Sequence, residues 1–345
     1  MKNILDYSLQ ELKEEFKIIG LKSFRAEQVL HSLYNGVVFD RIGNIPQKEK
    51  DLIKQFFLCD VADVCVVQKS VDGTEKYAIK LFDGNIIECV VMKYKYGNTV
   101  CVSTQVGCAM GCKFCASTLG GKLRDLSAGE ILAQVILTNK KLNGDIKNRK
   151  ITNVVLMGCG EPLDNYDNVT RFIKLVSDEK FINISQRNIS LSTCGIVPAI
   201  KKLADDGFKV NLTISLHASN DEERKKIMPI ARVYSIKDIM DASEYYFFKT
   251  KRRIYYEYTL VKEINDKQEN VKELACLLKG KVCHVNVINL NEVEGRTLKK
   301  TSRKNAETFV LQLNNCGISA TLRRTLGDDI DGACGQLRKH VMEEL

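Results

Sequence analysis

Cysteines crowd one stretch of this 345-residue chain: Cys101, Cys108, Cys112 and Cys115 all fall within "CVSTQVGCAMGCKFCAS". The last three are spaced C-x3-C-x2-C. Zinc normally wants four protein ligands, and no fourth cysteine or histidine lies close downstream. Three thiolates suit instead an iron–sulfur cube with one iron left free, and such an iron can chelate a small molecule through an amino and a carboxylate group. Buried inert thiols and a zinc site are the competing readings. In "MGCGEP", Gly158 and Gly160 let the main chain approach a ligand, and Glu161 offers a carboxylate to an ammonium group. Glu88 interrupts the apolar run "IIECVV", where its pKa could rise far enough for it to act as a base; an outward-facing strand residue is the plainer reading. Cys89 beside it points to the opposite face and is given no role.

These residues need a frame. From about residue 98, apolar β-branched runs alternate with helical stretches. The runs are "TVCVST", "ITNVVLMG", "NISLST", "VNLTISLHA", "RIYYEYTLV" and "VCHVNVINL", and a final strand, "ISATLRR", follows. Six strand–helix units in a row predict an α/β fold with a parallel sheet curled into a partial (βα)6 barrel, its site at the carboxyl ends of the strands. The cysteine loop follows the first of these strands, "MGCGEP" ends the second, and Ser192, Ser215, Leu216 and His217 end later ones. Asn291 follows "VNVINL"; a turn-forming asparagine is its plainer reading. Ahead of the barrel, Ser8 and Glu11 are spaced as a capping box, and Leu9, Leu12, Phe16 and Ile19 follow at helical spacing. "FRAEQVLHSLYNG" and "QKEKDLIKQFF" read as two further helices. The expected organisation is a helical module over 1–65, a β-hairpin around Asp83–Gly84 over 66–97, and the barrel with a C-terminal loop over 98–345.

Composition limits the class. With 44% hydrophobic and 28% charged residues the chain reads as globular, and no apolar window is long enough to suggest a membrane span. The charged start "MKNILDYSLQELKEEF" argues against a secretory signal, so thirteen cysteines, an odd number, suggest thiols in a reducing compartment. The expected location is the cytoplasm. The net charge of +9 comes partly from clusters, and phosphate backbones attract such surfaces. Lys251-Arg252-Arg253 and Arg323-Arg324 are the expected phosphate contacts; Lys122, Arg124, Lys299, Lys300, Arg303 and Lys304 receive no assignment.

C-x3-C-x2-C with Phe114 before the third cysteine, at the start of a βα barrel, resembles the radical S-adenosylmethionine (SAM) superfamily. "VSTQVGC", "MGCGEP", "SLSTCG", "SLHA" and "DIDGACGQL", with "FRAEQVL" near the N-terminus, narrow the resemblance to the RlmN/Cfr family of radical SAM RNA methyltransferases. It covers nearly the whole chain, and it implies that the helical module over 1–65 binds RNA. The resemblance implies a [4Fe-4S] cluster on Cys108, Cys112 and Cys115, and SAM held by Gly160, Glu161, Ser192, Ser215, Leu216, His217 and Asn291. It implies that Cys334 in "DGACGQL" accepts a methyl group from one SAM, and that a second SAM supplies the radical that activates it. The methylene carbon then joins adenine, Glu88 accepts a proton, and Cys101 releases the product through a transient disulfide with Cys334. A radical is needed because carbons 2 and 8 of adenine are electron-poor and cannot attack a sulfonium.

The family further implies methylation of carbon 2 of an adenosine in the peptidyl-transferase centre of 23S rRNA, and of the adenosine beside the tRNA anticodon, with a flavodoxin-like electron donor and a monomeric enzyme. The alternatives are a Cfr-type carbon-8 methyltransferase conferring antibiotic resistance, and a non-catalytic iron–sulfur RNA-binding protein, which would need neither Cys101 nor Cys334. The chain departs from the family at Ala231, where many members have asparagine, at Gly332, where alanine is more usual, and in having no tryptophan.

Overall fold

Three short helices come first, set between two strand fragments. β1 (Lys2–Asn3) pairs in parallel with β2 (Phe57–Leu58), and between them run α1 (Leu9–Ile18), α2 (Phe24–Tyr34) and α3 (Gln47–Phe56). The capping box of Ser8 and Glu11 starts α1, whose buried face is Leu9, Leu12 and Phe16. The computed structural model describes residues 1–291, 293 and 295–330; Cys334 and Gly332 lie outside the described residues.

An antiparallel meander follows: β3 (Ala62–Lys69), β4 (Glu75–Leu81), β5 (Ile86–Tyr94) and β6 (Gly97–Cys101). The turn at Asp83–Gly84 joins β4 to β5 as expected. The strand β3 was not anticipated, and it runs across residue 65. β6 belongs to two structures at once. It pairs antiparallel with β5 and parallel with the next barrel strand, so the meander and the barrel share one sheet of ten strands.

Beyond β6 comes a small ribbon, β7 (Gln105–Gly107) against β8 (Lys122–Asp125), and then α4 (Ala128–Lys141), opened by the capping box of Ser127 and Glu130. The pattern then repeats: β9 (Ile151–Leu156), α5 (Tyr166–Val176), β10 (Ile189–Thr193), α6 (Val197–Asp205), β11 (Asn211–Ser215), α7 (Asp221–Ile227), α8 (Ile236–Thr250), β12 (Ile254–Leu260), α9 (Gln268–Leu278), β13 (Cys283–Asn289), α10 (Arg303–Asn315) and β14 (Ala320–Leu322). The strands β6, β9, β10, β11, β12, β13 and β14 lie side by side in chain order, all parallel, which is the curled sheet expected of six strand–helix units. Parallel strands joined by helices have both faces covered, so they read as apolar runs rather than as alternation.

The N-terminal helices dock on the barrel through the start of α4. Asp6 accepts a hydrogen bond from Gly129 N at 2.6 Å, and Asn3 Nδ2 donates to Ser127 Oγ at 3.0 Å. A carboxylate at a helix N-terminus meets unpaired N–H groups and the positive end of the dipole. Among the described residues no helix is long and apolar enough to cross a membrane.

Candidate active site

Parallel strands bring their carboxyl ends to one face, and there a cavity of roughly 340 Å³ opens. Cys101, Cys108, Cys112 and Cys115 all line it, with Gly160, Glu161, Ser192, Ser215, His217 and Asn291. The cysteine loop is the excursion between β7 and β8, and that ribbon closes its base. Cys108 N donates to Gly121 O at 3.0 Å. Inside the loop Thr118 Oγ1 donates to Cys112 O and Cys115 O, at 3.2 and 2.9 Å. Gly107 closes the turn with φ +78°, and a Cβ there would stand 1.9 Å from Gly121 O. Burial pushes the Cys108 thiol up to about 12 and raises that of Cys112 too. Thiols in such a place stay protonated unless a metal takes them as thiolates. Among the described residues no group of three or more His, Cys, Asp or Glu side chains is placed to hold a single metal ion. Three thiols spread around one cavity fit a polynuclear cluster, in which each can bind a different iron.

The polar residues of "VSTQ" hold the exits of β6 and β9 together. Ser103 Oγ donates to Glu88 O at 2.7 Å and accepts from Cys159 N at 2.9 Å. Gln134, buried on α4, accepts from Ser103 N and donates to Ser103 O, at 2.8 and 2.9 Å. Gln105, also buried, accepts from Glu161 N at 2.9 Å and donates to Asp125 and Asp164, at 2.7 and 2.9 Å. The glycines of "MGCGEP" also have a packing role. A Cβ on Gly158 would lie 2.7 Å from Val102 O, and one on Gly160 would lie 2.7 Å from Gln105 Cβ. The space they leave is filled by protein, although both still line the cavity. Glu161 is buried; its carboxylate accepts from Leu163 N at 3.0 Å and Cys194 N at 2.7 Å, and burial raises its pKa. Those two bonds fix the turn after β9 to the end of β10.

Ser192 and Ser215 face the cavity from β10 and β11. His217 follows with φ +56°, an uncommon backbone state for a side chain of this size. Its Nδ1 accepts from Thr259 N at 3.0 Å, so the neutral ring carries its proton on Nε2. Burial, aided by the charge of Arg224, lowers its pKa to about 3. Phe114 packs on the ring edge-to-face, with centroids 4.7 Å apart. Leu216 departs from expectation. Its side chain is in the hydrophobic core, its N–H is bonded to Glu257 O, and its carbonyl accepts from Arg224 Nε. Just past the end of β11 the chain thus turns Ser215 and His217 toward the cavity and Leu216 away from it.

Cys101 ends β6, opposite Val90 of β5. Burial raises its thiol to about 11, while Arg323 pulls it down. Glu88 lies on the same face of β5 as Val90 but deeper, outside the cavity lining, and its carboxylate is 3.6 Å from Nζ of the buried Lys76. Twelve cysteines are described, and among the described residues none is joined to another in a disulfide.

Glu257 was not anticipated. It sits on β12, lines the cavity, is buried, and has its pKa raised by that burial. Oε1 accepts from Asn286 Nδ2 at 3.0 Å; among the described residues Oε2 accepts no hydrogen bond, with Arg323 Nη1 at 4.0 Å. The only trace in the sequence is a lone carboxylate within "YYEYTL", the kind of signal that singled out Glu88.

The basic clusters separate. Arg323 and Arg324 line the cavity. Lys251-Arg252-Arg253 precede β12 and so lie toward the other end of the barrel; Arg253 is four positions, roughly 13 Å, before Glu257, the first β12 residue to line the cavity. Lys299 and Lys300, left unassigned from the sequence, are at the cavity end: Lys300 bridges to Val261, just past β12. Lys122 and Arg124 pair with acids, Lys122 with Asp125 and Asp164, Arg124 with Asp83 and Glu130.

A curled parallel sheet with three cysteines on the loop after its first strand defines a radical SAM protein. Residues 102–275 match the model of the radical SAM superfamily, and residues 2–57 match that of the ribosomal RNA large subunit methyltransferase N-terminal domain. A probable dual-specificity RNA methyltransferase RlmN of Clostridium perfringens is 52% identical over 346 aligned positions, which cover 99% of this chain and 98% of that one. The protein of the same name from Clostridium botulinum strain Hall is also 52% identical, over the full length of both chains. A crystal structure of a radical SAM methyltransferase from Sphaerobacter thermophilus superposes with a TM-score of 0.93 at 37% identity, covering 97% of this chain and 99% of that one. The chain belongs to the RlmN family of radical SAM methyltransferases.

Proposed function

We propose that this protein methylates carbon 2 of an adenosine in 23S rRNA and of the adenosine beside the tRNA anticodon. The observation that carries the reading is the cavity itself: Cys101 shares it with the three loop cysteines and with strand-end residues from β9, β10 and β11. The name shared by the relatives supports two RNA substrates. Cys108, Cys112 and Cys115 hold a [4Fe-4S] cluster, and Gly160, Glu161, Ser192, Ser215, His217 and Asn291 hold SAM. When bound, the cluster and SAM supply a methyl group and the one-electron chemistry that adenine carbon 2 requires, with a flavodoxin-like protein as electron source.

The residues of the chain divide the remaining work. Cys334 carries the methyl group. Cys101 attacks the sulfur of Cys334 once the carbon is joined to adenine; as the S–S bond forms the S–C bond breaks, the carbon keeps the electron pair and takes a proton to become the methyl group, and a transient disulfide is left on the protein. Burial keeps Cys101 protonated and unreactive until it is needed, and Arg323 favours its thiolate. Glu88 takes a proton, with Lys76 as its charge partner.

The test is incubation of reconstituted protein with SAM, a one-electron reductant and unmodified 23S rRNA or tRNA, then nuclease digestion and mass spectrometry. The expected product is 2-methyladenosine from both RNAs; 8-methyladenosine would overturn the carbon-2 reading, and no methylation at all would overturn the enzyme. Cys101→Ala should stall as a covalent protein–RNA adduct on a denaturing gel, and the double variant with Cys334→Ala should not. Normal turnover by Cys101→Ala would give the resolving role to another group.

A further inference from the structure

Arg224 is the largest fully buried side chain among the described residues. It is a cation, yet no carboxylate among those residues lies within ion-pair distance of it. Its bonds go to main-chain carbonyls: Nε to Leu216 O at 3.1 Å, Nη2 to Cys194 O at 2.6 Å and Ser215 O at 3.2 Å, Nη1 to Tyr234 O at 3.5 Å. A charge taken out of water with neutral dipoles as its hydrogen-bond partners, and with Asp221 of the same helix acting on it only from beyond ion-pair distance, remains costly. The protein bears that cost at one particular place. Arg224 lies one helical turn before Ile227 on α7, and α7 runs beneath the cysteine loop. Lys113 N donates to Ile227 O at 2.9 Å. Ile227 and Met228 pack with Cys112 and Cys194 in a small apolar cluster of their own. The guanidinium is thus fixed in a dry wall, bonded to the main chain of Cys194 and one helical turn from the residue that packs on Cys112, and its charge acts on both thiols.

We infer that Arg224 is the counter-charge of the cysteine loop, raising the reduction potential of the cluster that Cys108, Cys112 and Cys115 hold. This rests on the cluster assignment made under the proposed function. Three thiolates on a doubly charged cube leave a single net negative charge, and one added electron doubles it, with no bond made and no proton moved. A fixed cation in surroundings of low dielectric constant favours the more negative state. A purely structural role, tying the ends of β10 and β11 to α7, is the competing explanation, and charge separates the two. Lysine keeps the charge but cannot reach four carbonyls with one ammonium group, whereas glutamine removes the charge.

The experiment is an anaerobic potentiometric titration with dithionite, followed by electron paramagnetic resonance, on the reconstituted full chain without SAM. Wild type, Arg224→Lys and Arg224→Gln are compared, with iron content measured for each. At pH 6, Arg224→Gln should make reduction at least tenfold less favourable, about 59 mV for a one-electron couple. Arg224→Lys should stay within about threefold of wild type, even if it melts at lower temperature. A second readout does not need the glutamine variant to fold. A buried lysine loses its charge at a lower pH than arginine, so the Arg224→Lys midpoint should fall between pH 6 and pH 9 while that of wild type stays level. Equal midpoints for wild type and Arg224→Gln would overturn the inference, as would equal shifts in both variants or a level Arg224→Lys midpoint. If wild type itself takes up no iron, the cluster assignment fails and Arg224 falls with it; if it takes up iron and the midpoints coincide, only the role of Arg224 fails.

Discussion

His217 shows what a single residue can report. The residue is 3% exposed and its Nδ1 is already accepting a main-chain N–H, so a second proton would break that bond and bury a charge. The folded pKa of about 3 lies below the ordinary 6.5. Between those values the unfolded chain binds a proton that the folded chain does not, so stability falls as pH falls through that window, by up to about 1.4 kcal/mol per pH unit. In urea denaturation of the apoprotein, wild type should exceed His217→Asn at pH 7, and the gap should shrink by about 2 kcal/mol at pH 5. A constant gap would mean that His217 titrates normally. At this scale the sequence was informative where residue type and strand end coincided, as at Ser192, Ser215 and His217. It was less informative where orientation decided. Leu216 stands between two cavity residues and faces the core, while Glu257 stands inside a strand and faces the cavity. One step along a strand reverses the face, and a motif match does not carry that information.

Elements deliver these side chains, and the least conspicuous ones do much of the delivery. The βα repeats were legible because they are long and apolar. The ribbon of β7 and β8 was not, since strands of three and four residues leave no periodic trace. α7, "DEERKKI", was missed because it is seven residues long, nearly all charged, and buries only Arg224 and Ile227. β3 was missed because none of its residues is fully buried, so it carries little apolar signal. The ribbon makes a testable point about the loop it closes. Gly107→Ala would place a methyl 1.9 Å from Gly121 O at a backbone angle that disfavours alanine, a cost of about 2–4 kcal/mol from the clash and the strain together. All three loop cysteines remain in this variant. The expected result is a folded protein with iron uptake reduced at least severalfold, measured colorimetrically after anaerobic reconstitution. Full iron uptake would show that the loop does not depend on the ribbon that closes it.

At the scale of the whole molecule, the barrel has two ends of different character, and charge must be assigned to the correct one. The net charge of +9 and the positions of the basic clusters were legible in the sequence, but the end of the barrel on which each lies was not, because that depends on whether a cluster precedes or follows its strand. The C-terminal segment strengthens the asymmetry. After β14 it passes Arg323 and Arg324 at the cavity and is then fastened to the turn between β3 and β4: Asp329 accepts from Val71 N at 3.0 Å and from Ser70 Oγ, and Asp72 accepts from Gly327 N at 2.8 Å. Cys334 follows five positions after that anchor in the sequence. An RNA whose adenosine enters the cavity therefore meets Arg324, Lys299 and Lys300 long before it could reach the other end. Each phosphate neutralised by a cation releases counterions, which gives binding a salt dependence of about 0.9 in slope per contact on a duplex and about 0.7 on a single strand. Arg324→Glu should weaken tRNA binding about tenfold at 100 mM salt and lower the slope by about one contact. Lys251→Glu with Arg253→Glu removes more charge in total, yet should leave affinity within about twofold, because only long-range attraction is lost and a Debye length of about 10 Å screens it. Fluorescence anisotropy across a salt series measures both. If the Lys251, Arg253 double variant lost as much affinity as Arg324→Glu, the RNA would reach round the barrel to its amino end, and the cavity face would not be the whole of the binding surface.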